Sequence, residues 1–238
     1  MTDGTTALGR ASRQPVVAGV TAALAVLTLV AVGVVWLMSD RSEGTTGTGT
    51  PEDASAEAGF ARDMSTHHQQ AVEMSLIVRD RTGNEDVRRL AFDILTAQAT
   101  ERGILQGWLD RWGLDRTSED APMTWMKDAG GMDGMDGMGH GSMKGMDHAY
   151  KPHDGSLMPG MATNTELDKL REAKGKAAEV LYLKLMTAHH KGGVAMAEGA
   201  AELVTDRPEK RLATTMVRAQ QSEIQLMADM LKERGASS

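Results

Sequence analysis

The chain has 238 residues, a formal net charge of −7 and no cysteine. That length allows one medium domain with appendages or two small ones. The acidity offers nothing to a nucleic-acid backbone, and without thiols there is no disulfide, thiolate zinc site or cysteine nucleophile. Aromatic residues make up only 3% of the chain while Ala, Leu, Glu, Arg and Met are plentiful, a mix that favours helix over sheet because unbranched side chains keep most of their rotamer freedom in a helix. Of the 18 methionines, nine fall between Met123 and Met161, a crowding that core packing does not require.

In chain order, the first expected element is a membrane anchor. Residues 16–39 carry no charge and are long enough to cross a bilayer core. Arg10 and Arg13 precede the run and hold residues 1–15 in the cytoplasm, while Trp36 sits near the outer end, where aromatic belts occur. A cleaved signal peptide would have a shorter apolar region and a small-x-small cleavage site, and Trp-Leu-Met is a poor one. Either way the remainder is exported, and the expected location is the cell membrane, single-pass, with the C-terminal domain extracytoplasmic.

Residues 40–55, rich in Gly, Thr and acidic side chains, are expected as a flexible spacer. Helical periodicity starts near Ala56, pauses at Thr82-Gly83-Asn84, and resumes to about Trp112-Gly113. Residues 117–162 are Gly, Met, Asp and His with scattered Pro, and are expected to bury no core. Helix returns from Thr163, with Thr165 or Asn164 as the expected cap, and breaks at Thr205–Pro208 before a last helix to about Gly235. The domain thus runs over 56–235, interrupted by the loop.

Shifting the chain by 122 residues superimposes Phe60, Met64, His67, His68 and Met74 on Tyr182, Met186, His189, His190 and Met196. The same shift carries Arg89-Leu90-Ala91 onto Arg211-Leu212-Ala213, Gln98 onto Gln220 and Glu101 onto Glu223. One ungapped offset across two helices makes the helix pairs copies, and two such pairs close into an all-α four-helix bundle with pseudo-twofold symmetry. At 100° per residue, Phe60, Met64, His67, Ala71, Met74 and Val78 form one stripe, as do Tyr182, Met186, His189, Gly193, Met196 and Ala200. His67 and His189 lie near the stripe's centre, His68 and His190 at its edge. Gln98, Glu101, Gln220 and Glu223 share the buried faces of the second helices.

Imidazole and thioether together suit copper, and Met selects Cu(I) or its analogue Ag(I). Met64, His67, His68, Met74, Met186, His189, His190 and Met196 are therefore candidate ligands, with Gln98, Glu101, Gln220 and Glu223 placed to orient the imidazoles from behind. The alternative is a polar core whose His-Glu pairs only fix register. A di-iron oxidase would need Glu-x-x-His on two helices, and no such spacing occurs. The loop adds Met132, Met135, Met138, His140, Met143, Met146 and His148, thioethers recurring every three to five residues among glycines that let the backbone wrap an ion.

The aromatic, Met-x-x-His-His, Met, Leu-Ala and Gln-x-x-Glu pattern over 60–113 and 182–234 resembles the family catalogued as domain of unknown function 305. The resemblance implies a ferritin-like fold, export or membrane anchoring, and copper binding in some members, with the two Met-x-x-His-His sets as signature positions. The second copy departs at Lys191-Gly192-Gly193, which replaces Gln69-Gln70-Ala71 and leaves the two half-sites unequal. The expected function is an extracytoplasmic, membrane-anchored protein that sequesters, buffers or transfers Cu(I), without catalysis. Its partners would be metal ions, the membrane and a copper-handling protein. A structural or interaction bundle is the second reading and a metal-dependent redox enzyme the third.

Overall fold

The computed structural model describes residues 50–128 and 150–237. The expected tail and anchor, nearly all of the spacer, and Met132, Met135, Met138, His140, Met143, Met146 and His148 lie outside the described residues. Among the described residues the elements are all helical, and no helix is long and apolar enough to cross a membrane.

Helix α1 (Ala56–Arg81) begins where the Ser55 hydroxyl accepts from the Ala58 amide. Helix α2 (Glu85–Trp112) follows the Thr82-Gly83-Asn84 turn, with the Asn84 side chain accepting from Val87 and acidic Glu85 and Asp86 at the positive end of the helix. It stops at Gly113, whose φ of 69° is the left-handed conformation glycine adopts without penalty. A short 3₁₀ helix spans Thr124–Asp128.

The second half departs from the single helix expected from Thr163. Helix α3 (Asn164–Glu172) ends after nine residues and α4 (Gly175–Leu203) starts afresh. Lys174 is extended and Gly175 has φ +53°, so the chain changes direction between them. The α3 cap is Thr163 itself, not Asn164 or Thr165, and Glu166 closes a reciprocal capping box with it. Helix α5 (Arg207–Glu233) has Asp206 as its cap and Pro208 in its first turn.

Helices α1 and α2 form one hairpin, α4 and α5 the other, and the hairpins meet through α1 against α4. All twelve stripe residues of α1 and α4 are buried. Met74, Val78, Leu90, Ile94, Tyr182, Met186 and Met227 belong to one apolar cluster. Glu57 and Glu179, equivalent under the 122-residue shift, each tie down the turn of the opposite hairpin. Glu57 accepts from the Thr205 amide and hydroxyl at 2.8 Å, and Glu179 accepts from the Thr82 hydroxyl at 2.6 Å.

The segment expected to bury nothing is packed at both ends. Before the undescribed stretch, Trp125 stands edge-on to Phe60 at 5.9 Å and donates to Asp63 at 2.8 Å, while Met126 fills the hollow over Gly199. After it, residues 150–162 form a strap whose last residues, from Pro159 to Ala162, rest on α1 and α4, and Met158 in the strap is fully buried. Composition suggested a free linker. Tertiary hydrogen bonds, invisible to composition, dock it.

Candidate metal centre

Four histidines meet where α1 crosses α4, and each is fully buried. They occur as neighbours in sequence because two adjacent positions on an interior helix face two different partners. His67 and His189 point across to each other, their rings 3.7 Å apart. His68 and His190 turn toward the second helix of their own hairpin. There His68 Nε2 lies 2.9 Å from Glu101 Oε2, and His190 Nε2 lies 2.8 Å from Glu223 Oε2. The His190 pair has good hydrogen-bond geometry, whereas the His68 pair is less well aligned. The expectation that His68 and His190 sit at the stripe's edge is therefore corrected: they are as buried as the other two, because α2 and α5 cover them.

These contacts fix the chemistry of the rings. His189 Nε2 lies 2.9 Å from the main-chain carbonyl of His67, which can only accept, so Nε2 carries the proton. A carboxylate likewise draws the proton of His68 and His190 to Nε2. The Nδ1 atoms of His68, His189 and His190 have no hydrogen-bond partner, and in His67 neither nitrogen has one of good geometry. A buried polar atom without a partner costs on the order of 1–3 kcal/mol, so several in one layer call for an occupant or a compensating role.

Electrostatics keep His67 and His189 neutral. Burial lowers the His67 pKa to about 3, helped by the neighbouring His68 and His190, while the Pro159 carbonyl facing the ring acts in the opposite sense. Burial also holds His189 well below the ordinary histidine range, with His67, His190 and His68 adding to the effect. A neutral imidazole with an unpartnered Nδ1 lone pair, as in His189, is a ligand in waiting. The thioethers of Met64, Met74, Met186 and Met196 are buried on the same two helices, one turn before and about two turns after the histidines. Among the described residues, no three His, Asp or Glu side chains are grouped to hold a metal ion.

Gln98 and Gln220 are also buried, and their amides have no partners. Gln220 presses on Gly193, in the turn after His190. The loop ligands expected from sequence lie outside the described residues, so the structure brings together the helical set only. Gln70 was not singled out as a site residue. It exchanges two hydrogen bonds with the Ala162 backbone at 2.8 and 2.7 Å. Pro159 and the Asp63–Trp125 contact were likewise not anticipated. The one sequence signal for the strap was the break in the repeat itself. Gln70 falls on Gly192, and a methyl group at Gly192 would run into the Pro159 carbonyl.

The family model described as "Domain of unknown function (DUF305)" matches residues 57–231. No curated protein matches the chain. Among solved structures, a DUF305 protein from Streptomyces coelicolor is 53% identical, with 79% of this chain and 98% of that one covered and a TM-score of 0.65. A DUF305 fragment from Deinococcus radiodurans is 27% identical over 75% of this chain and 96% of that one, at a TM-score of 0.55. CopM in its Cu(I)-bound form is 17% identical over 75% of this chain and 96% of that one, at a TM-score of 0.52, a likeness of fold.

Proposed function

Because this chain belongs to the DUF305 family, whose name assigns no activity, we propose its function from its own donor atoms: it is a copper-binding protein of the extracytoplasmic face. The observation that carries the proposal is the set of buried imidazoles whose Nε2 atoms face a carbonyl or a carboxylate while their Nδ1 atoms are unpartnered. Carboxylate behind imidazole is the arrangement that orients histidine ligands and raises their basicity toward a metal. Four buried methionines on the same helices make the donor set soft, which favours Cu(I) over harder ions, with Ag(I) as its analogue. CopM, which shares the fold, has been solved with Cu(I) and with Cu(II) bound, so the architecture is compatible with copper.

In this reading Met64, His67, His68, Met74, Met186, His189, His190 and Met196 supply the helical site, and Glu101 and Glu223 position two of its rings. Met132, Met135, Met138, His140, Met143, Met146 and His148 supply further capacity. Residues 16–39 would hold the protein in the membrane with its helical domain outside, and the activity is sequestration, buffering or hand-over of copper. A purely architectural role accounts for the two His-Glu contacts, but it leaves the Nδ1 atoms unexplained.

The test is a Cu(I) titration of the full-length protein against a colorimetric chelator, with elemental analysis. A fall in Cu(I) stoichiometry on combined His67→Ala and His189→Ala substitution supports the reading; no binding above that of a Met-free helical control overturns it. Protease added to cells stripped of their outer layers should digest everything after about residue 40 if the anchor spans the membrane.

A further inference from the structure

The strap is the one described element at the histidine layer that belongs to neither copy of the repeat. Met158 anchors it by burial, Asp154 accepts from the Asn164 and Thr165 amides at the start of α3, and the remaining fixings are to α1 and α4. The Gln70 carboxamide donates to the Ala162 carbonyl at 2.8 Å and accepts from the Ala162 amide at 2.7 Å, and Gln70 is itself buried. Gly160, at φ +83°, lets the strap backbone settle against Ala188 and Gly192 of α4. Gly192 in turn leaves room for the Pro159 carbonyl, which faces His67. Within the strap, Ser156 donates to the Met161 carbonyl at 2.8 Å and pairs with the Tyr150 hydroxyl at 2.5 Å, so its two ends are tied together.

We propose that the strap at 150–162 is the gate to the four-histidine layer, and that Gln70 is its latch. The histidines have no surface of their own, so a solute can meet them only if something moves. Separating α1 from α4 would break the core. Lifting the strap breaks the two Gln70 hydrogen bonds, exposes Met158 and uncovers the α1–α4 seam at His67, and leaves the helix pairs themselves together. Gln70 is then a positioning residue: it sets how often the layer opens, not what the layer binds. The inference rests on the copper reading for its cargo, but opening itself can be followed without metal.

Two full-length variants test it. Gln70→Ala removes both latch bonds. Gly192→Ala pushes on the Pro159 carbonyl while improving helix propensity in α4, so it displaces the strap without weakening the helix. In metal-free protein, histidine modification by diethyl pyrocarbonate, mapped by peptide mass, should accelerate about tenfold or more at residue 67, the shift expected from two lost hydrogen bonds of ordinary strength. Exchange of the Ala162 amide should accelerate with it. Cu(I) uptake, and release to bathocuproine disulfonate, should both speed up with the same stoichiometry.

Unchanged histidine modification in variants that melt like the parent overturns the gate. Faster modification with unchanged copper kinetics overturns it as the route for copper. If the parent binds no Cu(I), the copper reading fails separately, and the modification rates still decide whether the strap opens.

Discussion

The rings of His67 and His189 lie 3.7 Å apart with their planes inclined by 30°, at equivalent positions of the two helix pairs. Stacking of this kind tolerates two neutral imidazoles and penalises a proton on either, because the charge would face a second ring in a site without water-like screening. Burial is the larger cause of their lowered pKa values; His68 and His190 add to it at both rings, and His67 adds to it at His189.

A pH dependence of the metal-free protein follows. The folded-state pKa of His67 is about 3 against an ordinary 6.5, so below 6.5 the unfolded chain binds protons that the folded one refuses. The stability contribution is fully present above pH 6.5 and is lost progressively as pH falls toward 3. Urea melts between pH 7.5 and 4 should show falling midpoints, with a smaller slope in His67→Gln. A flat profile in the parent would mean that the rings are accessible and ordinary.

Glu101→Gln and Glu223→Gln test the roles assigned behind the histidines. Replacing the carboxylate by an amide keeps the shape and reduces the pull on the Nε2 proton. Copper affinity should drop by about 10-fold or more with unchanged stoichiometry, as for other groups that orient a metal ligand. Equal affinity in both variants would reassign the His-Glu contacts to architecture.

Changing Met132, Met135, Met138, Met143 and Met146 together to Leu removes five thioethers at nearly constant size. None belongs to the repeated helices, so the thermal midpoint of metal-free protein should change little, within about 0.5 kcal/mol. Cu(I) stoichiometry should fall, because Leu has no donor atom. Binding of as much copper as the parent would leave those methionines without a role.

Glu209, in the first turn of α5, is fully buried with no partner for either carboxylate oxygen. Burial, with Glu57 and Asp206 nearby, raises its pKa from 4.5 to about 9. The folded state therefore holds a proton that the unfolded state has released, and the contribution to stability present below pH 4.5 is lost as pH rises through 9. Glu209→Gln, which is neutral throughout, should be more stable than the parent at pH 8 and should lack that decline. Calorimetry at pH 6, 8 and 9.5 decides it; parallel curves for the two proteins would refute the assignment.

Much of this was legible in the sequence, because two long helices carry the same stripe at one offset. Phe60, Met64, His67, Ala71, Met74 and Val78 are all fully buried, as their periodicity requires. The wheel went wrong at His68 and His190 because it assumes a single covered arc. A helix in the middle of a bundle is covered from two sides, by its hairpin partner and by the opposite hairpin, and its buried arc is wider than one stripe. The break between α3 and α4 was a matter of one glycine with positive φ, and composition does not distinguish that from a helical glycine. The strap was illegible because it has no periodicity. Its position is written in Gln70, whose role depends on a backbone 92 residues away.

Gln70 and Gly192 occupy the same place in the two copies, yet one reaches out and the other makes room. Had the two hairpins been separate, identical chains pairing as a dimer, that position would have had to be the same residue on both sides. A glutamine twice would have blocked the backbone that now rests on Gly192; a glycine twice would have had nothing to grip with. Joining the copies in one polypeptide frees the two positions to differ, so a duplicated interior can carry a cover that exists only once.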